Sequence, residues 1–163
     1  MTTIANYVRN IKVFFNYLFE IERELAKKIH NGQKGDSQWL IAGWELLSTQ
    51  RIFDEWNVWK ELSDKGTFNE WDVESQEGIT NVWWQQSWIP LTYNGCGDHH
   101  CLDLAPTAKG TEGQIISMWH DSAEREVLAA SYKQWFEYLV CNFEGNDAEF
   151  VFDSGDFDFK ATK

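Results

Sequence analysis

Proline occurs only twice, as Pro90 and Pro106, and cysteine only three times in a chain of 163 residues. So few cysteines, and an odd number of them, give no disulfide framework and point to a reducing compartment, so the cytoplasm is the expected location. No apolar run approaches the roughly twenty residues that a membrane span needs. Val13 to Phe19 is apolar enough to resemble a signal-peptide core, but Glu20-Ile21-Glu22-Arg23-Glu24 follows where a small-residue cleavage site would stand. Positive charge is scarce too: 14 Lys and Arg against 26 Asp and Glu leave a formal net charge of −12. Such a balance repels nucleic-acid phosphates and anionic lipid and suits basic partners, while helping to keep the protein soluble and monomeric. Phosphate-binding glycine loops, nucleophile elbows and zincin helices are missing, and Gly95 and Gly97 sit in a hairpin rather than before a helix.

Aromatic residues, by contrast, are abundant, at 16% of the chain with ten tryptophans. Each buries a large area, so a core rich in them needs few layers, and any left on the surface mark a contact site. The length suits one domain with a real core. Ile4, Tyr7, Ile11, Phe14, Leu18, Ile21 and Leu25 recur three and four apart, which predicts an amphipathic helix over residues 1 to 30, stopped at Asn31-Gly32. A strand is expected from Trp39 to Leu47. Ser48 then caps a second helix carrying Ile52, Phe53, Trp56, Trp59 and Leu62 as far as Gly66. From Thr67 to Gln86 the pattern is poor, and Glu70, Asp72, Glu74 and Glu77 read as a solvated acidic face on a loop with short strand pieces.

The chain is organised around Trp83 to Asp121. Two apolar runs, Trp88 to Leu91 and Cys101 to Leu104, flank Asn94-Gly95-Cys96-Gly97-Asp98, where paired glycines beside Asn and Asp fit a tight reversal. Lys109-Gly110-Thr111-Glu112-Gly113 turns the chain again into Gln114 to Trp119, giving a three-stranded meander. Asp121-Ser122-Ala123-Glu124 leads to a further antiparallel strand, Arg125 to Ala129, and Ser131 caps a third helix with Tyr132, Trp135, Phe136, Leu139, Val140 and Phe143 on one face. Residues 144 to 163, with Phe150, Phe152, Phe157 and Phe159 around Ser154-Gly155, read equally as a small hairpin or an acidic tail.

One order of motifs carries a resemblance. Trp84, Trp88-Ile89-Pro90, Gly95 and Gly97, Cys101-Leu102-Asp103-Leu104, Pro106, Gly110-Thr111, Gly113-Gln114-Ile115-Ile116, His120-Asp121 and Ser131-Tyr132 with Trp135 together resemble the SUKH superfamily in its Smi/Knr branch. The match is strongest from Leu40 to Phe143. Ala105 stands where the family often has an acid, and residues 1 to 30 lack its usual Leu-Pro lead-in. The expected fold is therefore α+β: a mostly antiparallel sheet of about five or six strands with helices packed on one side, residues 1–143 forming one SUKH-like domain.

The resemblance implies a binding domain without chemistry. Its bacterial members are associated with immunity to polymorphic toxins and its fungal members with regulation of cell-wall synthesis. The first is the leading expectation, an immunity protein that occludes a basic toxin domain; the alternative is a regulatory adaptor of cell-wall synthesis or signalling. A third reading, a zinc or cysteine enzyme, rests on Cys96, His99, His100 and Cys101, with His120 or Cys141 as a further candidate ligand. The spacing is not that of a structural zinc site, and Cys101 reads as a buried structural thiol. No cofactor or metal is expected. The residues expected to meet the partner are the acids of the meander loops, Asp98, Glu112 and Asp121, with His99 and His100 adding hydrogen bonds and Trp119 as an aromatic anchor.

Overall fold

The computed structural model describes residues 30–31 and 43–144. The expected N-terminal helix, the first part of the Trp39 strand and the segment beyond Glu144 lie outside the described residues. Within them the order is β1 (Glu45–Leu46), α1 (Thr49–Asp64), β2 (Glu74–Ser75), β3 (Trp88–Pro90), β4 (Thr92–Tyr93), β5 (His99–Asp103), β6 (Gln114–Met118), β7 (Glu124–Arg125), β8 (Val127–Ala129) and α2 (Tyr132–Glu144). This is the α+β class read from the sequence.

Both helices start where the sequence puts a cap. Ser48 is extended at φ −64° and ψ 161°, and its hydroxyl accepts from the Arg51 N–H at 3.3 Å. Ser131 does the same for Gln134 N–H at 3.2 Å, and the Gln134 side chain reaches back to the Ala130 N–H at 3.0 Å. That reciprocal pairing satisfies donors which a helix start leaves orphaned.

The main sheet has the order β3-β5-β6-β8, antiparallel throughout, with Leu102 opposite both Ile89 and Ile115. A register shift between Ile115 and Ile116 marks an irregularity where β6 meets β8. Strands beyond these four form two short ladders: β1 pairs antiparallel with β4, and β2 pairs in parallel with β7. Parallel pairing needs a long crossover, and here the whole meander supplies it.

Successive residues of β5 show how the layers lie. His99 meets Trp59 of α1, whereas His100 meets Trp135 of α2. Neighbouring strand residues point to opposite faces. The two helices thus meet β5 on opposite sides. This explains why every residue of β5 and β6 is buried: each strand has an occupied layer above and below. Seven of the ten tryptophans, Trp44, Trp56, Trp59, Trp83, Trp84, Trp88 and Trp135, belong to the single core. Across it, buried His30 bridges Leu47 O at 2.7 Å and the Tyr132 hydroxyl at 2.9 Å, tying the chain before β1 to α2.

Candidate functional site

The hairpin tip at Asn94–Asp98 is held from within. The Asn94 carbonyl oxygen of the side chain accepts from Cys96 N–H at 2.8 Å and Asp98 N–H at 3.1 Å, an Asx-type turn. Asp98, only 7% exposed, is turned inward. Its Oδ1 accepts from the His120 backbone N–H at 2.7 Å and lies 2.8 Å from His120 Nδ1, while Asn94 donates to its other oxygen. Gly97, at φ +115°, lets His120 pack against it, since a Cβ there would lie 3.1 Å from the ring. Asp98 therefore staples the tip to the end of β6.

His99 and His100 are buried as well, at 0% and 2% exposure. His99 Nδ1 is 2.7 Å from Thr92 O and must donate to it, so Nε2 is left to accept from the Trp59 indole N–H at 3.1 Å. That tautomer is neutral, and burial lowers its pKa to about 4. His100 lies against Trp44, ring centroids 4.3 Å apart, and burial lowers it to about 3. Neither imidazole is open to a partner. The physical reason is the two-sided sheet: a strand covered above and below hides even its polar residues.

The register separates the expected loop acids. His99 pairs with Met118 and Asp103 with Gln114, so Asp98 and Asp121 sit at one end of β5 and β6 and Glu112 at the other. Five strand residues put roughly 15 Å between those ends. Glu112 and Asp121 are exposed, and Trp119 is half-buried with its ring 6.1 Å from Trp44. Of the six residues expected to meet a partner, three are buried structural groups, and the three on the surface do not share one edge.

The sulfur-imidazole set fares similarly. Cys96 is exposed on the tip; Cys101 is fully buried, and burial pushes its thiol well above the ordinary range, the reverse of what a nucleophile needs. Among the described residues the only cluster with metal-ligand spacing is Asp98, His120 and Asp121. An ion there would compete with the hydrogen bonds that already hold Asp98. At the far end of the sheet, buried Asp103 accepts from Ala105 N–H and the Gln114 amide, both at 3.0 Å, and burial raises its pKa.

A different feature emerges from the stretch with the poorest sequence pattern. Phe68, Trp71, Trp83 and Trp84, with Asn69 and Asn81, line a half-open cleft of about 300 Å³. Trp71 stands edge-on to Trp83 at 4.4 Å and 90°, and Phe68 is edge-on to Trp71 at 5.3 Å. Trp83 is held from behind by buried Arg125, whose guanidinium lies 5.0 Å from the ring centroid and donates to Trp83 O at 2.9 Å, Ser122 O at 2.7 Å and Glu124 O at 2.6 Å. Burial lowers the Arg125 pKa to about 10. Trp71 is 44% exposed, and the exposed acids Glu70, Asp72 and Glu74 flank it. Phe68, Trp71 and Val73, large apolar residues standing among the acids, were the one feature of the sequence that could have found this cleft.

Comparison with known proteins fixes the lineage. The model of the SMI1 / KNR4 family (SUKH-1) matches residues 22–138. The chain belongs to that family. Curated relatives include the cell wall biosynthesis/cell cycle regulator smi1 of Schizosaccharomyces pombe, 24% identical over 130 residues, which cover 71% of this chain and 26% of that protein. The glucan synthesis regulatory protein of Neurospora crassa is 26% identical over 149 residues, 69% of this chain and 27% of that protein. The cell wall assembly regulator SMI1 of Saccharomyces cerevisiae is 28% identical over 79 residues, 48% of this chain and 16% of that protein. The chain thus spans about a quarter or less of the length of these SMI1 / KNR4 relatives. They are named as regulators, and the residues that the family model matches include the meander that organises the fold.

Proposed function

We propose that this SMI1 / KNR4 domain, taken as one unit over residues 1–143, is a non-catalytic regulatory module that binds a protein partner in the control of cell-wall synthesis. The observation that carries the reading is the family match to relatives whose names are those of cell-wall and glucan-synthesis regulators. It favours the adaptor alternative over the toxin-immunity expectation, which none of those names supports. The geometry agrees, because His99, His100 and Cys101 are spent on the core, and the acidic surface offers steering toward a basic protein. Among the described residues no helix is long and apolar enough to cross a membrane, and Cys96 and Cys101 are free thiols, as a cytoplasmic protein would keep them.

Proximity labelling with the tagged chain in its own cell tests this. Enrichment of wall-synthesis enzymes or their regulatory kinases, together with sensitivity to wall-perturbing agents when the gene is deleted, is the expected result. Recovery of a basic toxin as the main partner, with deletion cells killed by that toxin and normal in their walls, would return the protein to the immunity class.

A further inference from the structure

We propose that the cleft between Phe68, Trp71 and Trp83 is the docking point for an arginine side chain presented by an extended segment of the protein partner. The inference rests on the binding-module reading and names where and how that binding occurs. Three observations converge. First, the walls are aromatic and one of them is open: Trp71, at 44% exposure, is among the largest apolar surfaces the described residues leave to solvent. Second, the chain on either side of the open wall is acidic. Glu70 and Asp72 flank Trp71 in the chain and Glu74 follows, all exposed, and none of the three pairs with a cation among the described residues.

Third, the molecule already uses the chemistry twice. Arg125 lies over Trp83 and Arg51 over Tyr93, with centroid distances of 5.0 and 5.5 Å. With one side of Trp83 taken by Arg125, an incoming guanidinium would stack on the exposed indole of Trp71 and reach the Glu70 or Asp72 carboxylate with its N–H fork. Arginine suits this pairing better than lysine, because its planar, weakly hydrated cation gives a face to the ring and an edge to the acid. About 300 Å³ is at the small end of ligand sites, room for one long side chain and an apolar neighbour against Val73 and Val82. An acidic segment, the chain's own residues 144–163 included, is disfavoured by the same exposed acids beside Trp71.

The test uses the full chain, nitrogen-15 labelled so that its ten indole N–H signals serve as reporters. The probes are capped glycine- and serine-rich peptides with a central arginine between leucines, and the same peptides with lysine or glutamine instead. The arginine peptide should move the Trp71 and Trp83 indole signals and bind roughly tenfold tighter than the glutamine peptide. Trp71→Ala, and separately Glu70→Gln with Asp72→Asn, should each weaken it by a similar factor while the other indole signals stay in place, showing an intact fold. Equal binding of all three peptides, equal binding of lysine and arginine, shifts centred on Trp119, or shifts produced by concentrating the protein alone would each overturn the proposal, the last by assigning the cleft to a second copy. None of these outcomes bears on the cellular test above, so the docking point can fail while the regulatory reading stands.

Discussion

Lowering the pH from 7.5 to 5 should weaken this fold through its two adjacent buried histidines, and the sign follows from where the protons go. Unfolded, His99 and His100 titrate near the ordinary 6.5; folded, burial holds them near 4 and 3. Below pH 6.5 the unfolded chain therefore binds protons that the native state refuses, and stability falls as pH falls. The contribution is fully present above pH 6.5 and is lost progressively down to the folded values. At pH 5 each histidine carries a penalty of roughly 2 kcal/mol, so the pair removes about 4 kcal/mol, a large part of a typical domain's stability.

Around His99 the Thr92 carbonyl and Asp98 favour its charged form, while Arg51 and His120 oppose it; His99 in turn opposes a charge on His100. Desolvation outweighs all of these. The lowered pKa of His30 adds in the same direction, whereas Asp103 and Glu55, raised by burial, gain stability as pH falls toward their own range. Denaturant titrations at closely spaced pH values from 7.5 to 5 measure the slope. Comparison with His100→Phe, which keeps an aromatic ring between Trp44 and Trp135 but cannot titrate, isolates one site and should reduce the loss at pH 5 by roughly 2 kcal/mol. Equal slopes in wild type and variant, with both folded at pH 7.5, would refute the argument by showing that His100 reaches its proton without opening the core.

Two further predictions concern packing. Leu102 is fully buried in the middle of the sheet between Ile89 and Ile115, and Leu102→Ala should cost on the order of 2 to 5 kcal/mol in denaturant titration; a loss under 1 kcal/mol would mean the strand register is wrong. Gly110→Ala should be costly although it adds only one methyl at a half-buried turn, because its Cβ would run into Gly78 O and fall 2.7 Å from Pro106 Cβ. The two turns would have to part, and a melting temperature within a degree of wild type would show that they are free to do so.

How far the sequence carried the fold depends on how local each signal is. Ser48, Ser131 and the Asn94–Asp98 turn act through neighbours a few residues away, so the two described helices and the meander could be read directly. The β2–β7 pairing could not, because Glu74 meets Glu124 across fifty residues and neither strand has a pattern of its own. The burial of three of the expected partner-facing residues was not legible for a related reason. Loop position suggested exposure for Asp98, His99 and His100, whereas exposure is decided by what packs over a loop, and here His120, α1 and α2 do. The acids of 70–77 looked like an ordinary solvated face until the structure set Trp71 among them.

Arg125 joins these threads, and its replacement is the most informative test of the cleft's foundation. A buried guanidinium is costly to desolvate, and this one is compensated by three carbonyls rather than a carboxylate: Ser122 O and Glu124 O in the β7 region and Trp83 O across the fold. It thereby fixes the end of the parallel ladder and the ring that forms the cleft floor with a single side chain. An ammonium is a point charge on a longer, flexible stem and cannot fork to two chain segments at once. Arg125→Lys should therefore leave Trp83 O or the Ser122–Glu124 turn without its partner and cost about 2 to 4 kcal/mol. Because Trp71 leans edge-on against Trp83, the loss should also be visible at a distance, as a change in the near-ultraviolet dichroism of the tryptophans at temperatures where the far-ultraviolet signal is unchanged. If Arg125→Lys melts as wild type and keeps the aromatic signal, the carbonyl fork is not what holds Trp83, and the ring is held by its packing against Phe68 and Trp71.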